Sequence, residues 1–76
     1  MNEQEVITEL IEEKIATLQH KVADARATIE LYKNWQDGSP QQQRSRKRSF
    51  ENNSKILNDL EKKLLVFKKI LRGYQQ

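Results

Sequence analysis

The chain has 76 residues, no cysteine and a net charge of +3, and 33% of its residues are charged. A chain of this length forms one domain at most and buries only about 60% of the surface that it exposes when unfolded. Because it has neither disulfides nor a thiolate zinc site to add stability, we expect a second chain to supply the missing buried surface.

The first predicted element is a helix over residues 3–36. Asn2 suits the N-cap position, and Glu5 three residues later completes a pattern that resembles a capping box. Apolar residues then recur at alternating spacings of three and four, which is the heptad pattern of a coiled coil. The core positions, named a and d, are Thr8, Ile15, Val22 and Ile29 at a, and Gln4, Ile11, Leu18, Ala25 and Tyr32 at d.

The next element is a tight turn over residues 37–39, in which Gly38 would take the left-handed conformation that closes the first helix. A second helix is predicted over residues 40–72. Ser39 would cap it, Pro40 suits its first position, and Gln42 completes a second capping box. Its a positions are Gln43, Phe50, Leu57, Leu64 and Leu71, and its d positions are Arg46, Asn53, Leu60, Phe67 and Tyr74.

Together these elements predict an all-α fold, an antiparallel two-helix coiled-coil hairpin that forms a single domain over residues 1–76. Folding about a tight turn would make the numbers of facing residues sum to about 75. Ile15 would then face Leu60. Ala25 would face Phe50, a small residue making room for an aromatic ring. A partner chain or a second copy would complete the hairpin, in the latter case as a four-helix bundle.

Several large apolar residues lie outside this core, mostly at the g and c heptad positions on one flank of the hairpin. Single exposed apolar residues are normal, but a cluster of them usually marks an interface. We therefore predict that this flank binds another protein chain or a second copy. The predicted contact residues are Val6, Ile7, Leu10, Ile56, Val66 and Ile70, with Leu31 and Trp35 as a second anchor.

Charged residues beside the core support the same prediction. With the register above, like charges would face each other across the core, and such pairs would not stabilise the hairpin by themselves. We therefore expect these charges to be complementary to another chain. The pairs are Lys14 with Lys63, Glu12 with Glu61, and Arg26 with Lys47.

A basic run at the start of the second helix supports an alternative function. Residues 44–49 would form a basic collar at the tip of the hairpin, close to Tyr32 and Trp35. Basic and aromatic side chains together can hold phosphates and stack on bases, which would make the chain a nucleic-acid-binding hairpin dimer. The run could equally bind an acidic protein or an anionic membrane surface, or serve only as a solvated helix end. The candidate polyanion-binding residues are Arg44, Arg46, Lys47, Arg48, Arg26 and Lys33.

The sequence carries no signature of an enzyme. It has no phosphate-binding loop or nucleophile elbow, and a thin hairpin offers no enclosed pocket. One histidine, His20, and scattered carboxylates do not form a metal shell. We expect no catalysis, no metal, no cofactor and no small-molecule substrate. No stretch approaches the ~18 apolar residues of a membrane span, so we expect a soluble, cytoplasmic protein.

Four features of the chain occur together: an acidic start (Glu3 to Glu13), Gly38 in the turn, the early aromatic Phe50, and the apolar series Leu57, Leu60, Leu64 and Phe67. In this the chain resembles the small helical-hairpin cochaperones of type III secretion needle subunits, the YscE/SsaE type. Members of that family form a hairpin that docks on a partner chaperone of helical repeats. The resemblance covers most of the chain and implies an assembly cochaperone or adaptor.

Overall fold

The computed structural model describes residues 1–75, which form two helices packed side by side as a hairpin. Helix α1 spans Glu3–Asn34 and helix α2 spans Pro40–Gln75, with residues 35–39 as the linker between them. The hairpin measures 59 × 16 × 14 Å. Within residues 1–75 there is no strand, and neither helix has an apolar stretch long enough to cross a membrane. The predicted all-α hairpin is confirmed.

Both helices begin where their capping residues predict. The Asn2 side chain accepts a hydrogen bond from the backbone N–H of Glu5 at 2.8 Å. At α2 the capping box is reciprocal. The Ser39 N–H donates to Gln42 Oε1 at 2.9 Å, and the Gln42 N–H donates to Ser39 Oγ at 3.2 Å. These bonds satisfy N–H groups that have no partner inside the helix.

Replacing Ser39 by alanine is expected to lower the free energy of unfolding by about 1 kcal/mol, since the N-cap side chain is lost. Ser45→Ala is the matched control, because Ser45 is an exposed residue inside the same helix. Its effect should stay within about 0.5 kcal/mol. Urea unfolding followed by circular dichroism would measure both. Equal losses in the two variants would contradict a capping role for Ser39.

The helix ends differ from the prediction. Helix α1 ends at Asn34 rather than at residue 36, and Trp35 is an extended C-cap whose N–H donates to the Tyr32 carbonyl at 3.3 Å. Gly38 has a φ of +121°, but it lies well beyond the last helical residue and does not close α1. Helix α2 continues through Gly73, which has no positive φ, to Gln75. A glycine ends a helix only when it takes a positive φ, so its presence at position 73 is not enough.

The facing register differs from the prediction by one heptad. Three contacts cross between the two halves of the hairpin, and the residue numbers that they pair sum to 78, 87 and 81, with a mean of about 82 rather than 75. These contacts are Gln4 Nε2 to the Tyr74 carbonyl at 2.8 Å, Arg26 Nη2 to Glu61 Oε1 at 3.1 Å, and Arg46 Nη1 to the Trp35 carbonyl at 3.1 Å.

The predicted pairings of Ile15 with Leu60 and of Ala25 with Phe50 are therefore wrong. In that register Arg26 would lie about 18 Å along the axis from Glu61, at 1.5 Å per residue, and could not bond to it. The cause is the linker. Trp35 is extended and its carbonyl accepts from Arg46 in the second turn of α2, so residues 35–39 do not make a tight turn and the start of α2 projects beyond the end of α1. A slip of one heptad leaves the a and d positions in the core.

The core consists of predicted a and d residues. The buried side chains all come from α1 and are Ile11, Ile15, Leu18, Val22 and Ala25. Among the described residues of α2 none is fully buried. Its apolar core residues, which are half-buried, are Phe50, Leu57, Leu60, Leu64, Phe67 and Leu71. The hairpin therefore has a single thin apolar seam, and much of the apolar surface of α2 remains in contact with water.

Candidate protein-binding flank

One ion pair identifies the two flanks of the hairpin. Arg26 and Glu61 both occupy the heptad position named e, and they bond across the seam at 3.1 Å. The e positions of both helices therefore share one flank, and the g and c positions share the opposite one. We call the latter the g/c flank. The pair itself is solvent-exposed and contributes little stability.

The Arg26–Glu61 bond corrects the predicted charge pairs. Arg26 does not face Lys47, and Glu61 does not face Glu12, so two of the three predicted like-charge pairs are absent. The prediction depended on the register with facing numbers that sum to 75. Like-charge pairs across the seam are therefore no argument for a partner chain. The exposed apolar residues are the remaining argument for one.

Most of the predicted contact residues are exposed. More than half of the side chain is exposed at five positions, and Val6 and Ile70 are exposed to a lesser degree. Ile7 is half-buried and is partly used by the hairpin itself. Val6 lies at position f, on the outer surface of α1 rather than on the g/c flank. The five most exposed residues of the predicted set are Leu10, Leu31, Trp35, Ile56 and Val66.

The exposed and half-buried apolar residues of the g/c flank fall into two patches. The open-end patch lies where α1 begins and α2 ends, and the tip patch lies beside the linker. Ile56 lies between the two patches, together with charged residues from both helices. The open-end patch consists of Ile7, Leu10, Val66 and Ile70, the tip patch consists of Leu31 and Trp35, and the charged residues are Lys14, Lys21, Asp24, Asp59 and Lys63.

At the tip, Arg46 is held against Trp35. The guanidinium carbon lies 4.5 Å from the centroid of the indole ring, which is a cation–π contact. Arg46 Nη1 also donates to the Trp35 carbonyl at 3.1 Å, and Nε donates to the Gln42 carbonyl at 3.4 Å. The side chain therefore fixes the linker on α2. This contact joins a residue predicted for polyanion binding to one predicted for protein binding.

Of the predicted basic collar, Arg46 is engaged by Trp35, and the other basic members remain exposed. Arg44, Lys47 and Arg48 are exposed and share one face of α2 by their spacing of three and four, whereas Arg46 points to the opposite side. Arg26 is paired with Glu61 away from the tip. Lys33 is exposed in the last turn of α1. The candidate polyanion surface is thus reduced to three side chains on α2.

Leu65 is an exposed apolar residue that is not among the predicted contact residues. It is 54% exposed and lies at position b, on the flank opposite the g/c flank. There it borders a shallow groove with Ala23 and Lys68. The uninterrupted apolar run Leu64 to Val66 is the signal that could have shown it, since such a run places side chains on both flanks of a helix.

The grooves of the hairpin are open surfaces formed mostly by exposed side chains. Near the tip, Trp35, Gly38 and Arg46 line one such groove, and Gln41, Arg44 and Arg48 line another. In the described part of the chain, no group of three histidine, cysteine or carboxylate side chains is placed to hold a metal ion. A comparison of the chain with protein-family models, curated proteins and solved structures finds no match.

Proposed function

We propose that the chain is a non-enzymatic protein-interaction module, a small assembly cochaperone or adaptor, that binds a helical partner through the g/c flank. The observation that carries this proposal is the placement of five large, mostly exposed apolar residues along one flank of a hairpin with a thin core. Exposed apolar patches of this kind mark interaction sites in soluble proteins.

The exposed apolar area would contribute favourably to association. Burying a large apolar side chain fully contributes about 1.5–3 kcal/mol, so completing the burial of five half-exposed ones contributes about 5 kcal/mol. Association also costs the partners their translational and rotational freedom. Trp35 adds a large, rigid ring of the type that is enriched among the residues that dominate binding.

The proposal predicts that charge on the g/c flank abolishes binding. The variant Leu10→Asp with Val66→Asp should lose the proteins that a tagged wild-type chain captures from nuclease-treated lysate. Leu65→Asp is the matched control, because Leu65 is similarly exposed but lies on the other flank. Capture should be kept in this control. Binding that survives in the double variant would contradict the proposal.

A second candidate function, nucleic-acid binding, is supported by the exposed face of Arg44, Lys47 and Arg48. Three phosphate contacts give a weak, salt-dependent interaction. Fluorescence anisotropy with a labelled oligonucleotide would test it. Wild type should bind weakly at physiological salt, and replacing the three residues by glutamine should remove that binding. Tight binding at physiological salt that these replacements abolish would favour the nucleic-acid function over the protein-binding one.

A further inference from the structure

We propose that the occupant of the g/c flank is a second copy of this chain, packed antiparallel to the first. The α1 residues of the open-end patch in each copy, Ile7 and Leu10, would then cover the tip patch of the other. This inference rests on the proposed function, because it takes the g/c flank as a protein-binding surface, and it names the partner.

The apolar residues of α1 are placed symmetrically for such a dimer. Ile7 and Trp35 lie at equal distances along the chain on either side of Lys21, and Leu10 and Leu31 do so to within one residue. A two-fold axis at Lys21, perpendicular to the long axis of the hairpin, therefore brings Ile7 onto Trp35 of the second copy. It also brings Leu10 onto Leu31 of the second copy.

Two of the three apolar residues of α2 on this flank, Ile56 and Val66, obey the same symmetry. Because facing numbers sum to about 82, Val66 lies about level with residue 16 of α1, and Ile56 about level with residue 26. These levels are again equally far from Lys21, on opposite sides of it. Ile56 would therefore pack on Val66 of the second copy. The position of Ile56, alone among charged residues in the middle of the flank, is explained by this contact.

The charges in the middle of the flank favour the antiparallel arrangement. Lys63 lies about level with residue 19 and Asp59 about level with residue 23, at equal distances from Lys21. Lys63 of each copy would therefore face Asp59 of the other. Lys21, beside the axis, would face Lys21 of the second copy, which is one unfavourable contact, and would lie one helical turn from Asp24 of the second copy, which offsets it. In a parallel arrangement α1 would pack on α2 at equal height. Asp24 would then face Asp59, and like charges destabilise such a contact.

The flank is also large enough for a stable dimer. With extents of 59 × 16 Å, one face of the hairpin presents roughly 900 Å², and a standard interface buries about 800 Å² on each partner. The product would be a four-helix bundle in which α1 packs on α1 and α2 on α2. This would cover the half-buried apolar surface of α2 that the hairpin alone leaves in contact with water.

The first test is the oligomeric state of the full chain by sedimentation equilibrium. Wild type should have twice the mass of the 9.0 kDa chain at micromolar concentration. Ile56→Asp should weaken self-association at least about tenfold, and Leu65→Asp on the other flank should leave it unchanged. Circular dichroism would show whether each variant keeps its helices. A wild-type chain that stays monomeric at ~100 µM overturns the inference.

Cysteine cross-linking tests the orientation directly, because the chain has no cysteine of its own. Lys21→Cys should form a disulfide-linked dimer by itself, since Lys21 lies beside the axis. Leu10→Cys should form one only when mixed with Leu31→Cys. All three positions are exposed, so the variants should keep the fold. Efficient cross-linking of Leu10→Cys to itself, with none at position 21, would overturn the antiparallel arrangement.

A charge-exchange experiment gives a further check that does not depend on oxidation. Lys63→Glu and Asp59→Lys should each weaken the dimer on their own, because each creates two like-charge contacts across the interface. Mixing the two variants should restore association, since both contacts then join opposite charges. The unfavourable pairs that each substitution creates within its own helix are not repaired by mixing. Failure of the mixture to associate better than either variant alone would contradict the pairing of Lys63 with Asp59.

The outcomes separate this inference from the proposed function. A monomeric chain that captures a different protein through the g/c flank would overturn the second-copy inference and leave the proposed function in place. A monomeric chain that captures nothing would overturn both. A dimer that Leu65→Asp disrupts and Ile56→Asp does not would also overturn both, because the binding surface would then be the opposite flank.

Discussion

Replacing Leu18 by alanine is expected to lower the free energy of unfolding by about 3 kcal/mol, the typical cost of emptying a buried leucine site. Leu18 is the most deeply buried residue of the hairpin, with 2% of its surface exposed. A domain of this size has a total stability of only about 4–11 kcal/mol. Loss of this one side chain therefore removes a large part of what holds the two helices together.

The loss is expected to be large because the site has little freedom to collapse. Leu18 occupies a d position in the middle of α1, with the buried residues Ile15 and Val22 on either side of it. In the observed register it lies level with Leu64 of α2. Two long helices in contact over most of their length cannot move closer at one point without disturbing the packing at others, so a cavity remains.

Leu65→Ala is the matched control for this substitution. It removes the same atoms from a leucine that is 54% exposed and lies outside both the seam and the g/c flank. Its expected effect is below about 1 kcal/mol. Urea unfolding of both variants at one fixed protein concentration would compare them, since self-association makes stability depend on concentration. Equal losses would mean that the seam is not the main source of stability.

The core of this fold could be predicted from the sequence, because burial follows from helical periodicity. The residues spaced by three and four along α1 are the ones that the structure buries, from Ile11 to Ala25. The helix starts could be predicted as well, since Asn2 and Ser39 are side chains that satisfy free N–H groups. Both signals are local and do not depend on how the helices pack.

The register could not be predicted in the same way. A heptad pattern is unchanged by a slip of seven residues, so it fixes which face of each helix is buried but not which layers meet. The path of the linker decides between the alternatives. That path depends on Arg46, which reaches back to the Trp35 ring and carbonyl, and no local rule relates these two residues.

In the candidate site, too, the features that follow from the heptad pattern could be predicted, and those that depend on the register could not. The exposed residues Leu10, Ile56 and Val66 could be predicted, because they are apolar positions that the heptad pattern leaves outside the core. The charge pairs could not, because they depend on the register. Arg26 was expected beside another basic residue and instead bonds to Glu61. The contact of Arg46 with Trp35, which leaves Arg44, Lys47 and Arg48 as the exposed basic residues of this run, could not be predicted either.

Replacing Gly38 by alanine is expected to destabilise the hairpin by about 2 kcal/mol, through its effect on the linker. Gly38 has a φ of +121°, a conformation that residues with a Cβ rarely adopt and that costs about 1–3 kcal/mol when forced. An added Cβ would also clash with the guanidinium of Arg46 and would lie 2.7 Å from Gln42 Oε1. The substitution should therefore displace Arg46 from Trp35 as well as strain the backbone.

Gly73→Ala is the matched control, and its expected effect has the opposite sign. Gly73 lies within α2, and a Cβ added there would meet no atom within 4 Å. Alanine is favoured over glycine inside a helix by about 1 kcal/mol, so the variant should gain up to that amount. Thermal unfolding of the two variants side by side would show a lower midpoint for Gly38→Ala and a higher one for Gly73→Ala.

The single tryptophan makes the cause of the Gly38 effect measurable. Trp35 is the only tryptophan of the chain and is in contact with Arg46, so its fluorescence reports the tip of the hairpin. Gly38→Ala should shift the emission of Trp35 in the folded state, and Gly73→Ala should not. If Gly38→Ala were as stable as wild type with unchanged emission, the linker would not need a positive φ at Gly38. The contact of Arg46 with Trp35 would then not depend on the conformation of Gly38.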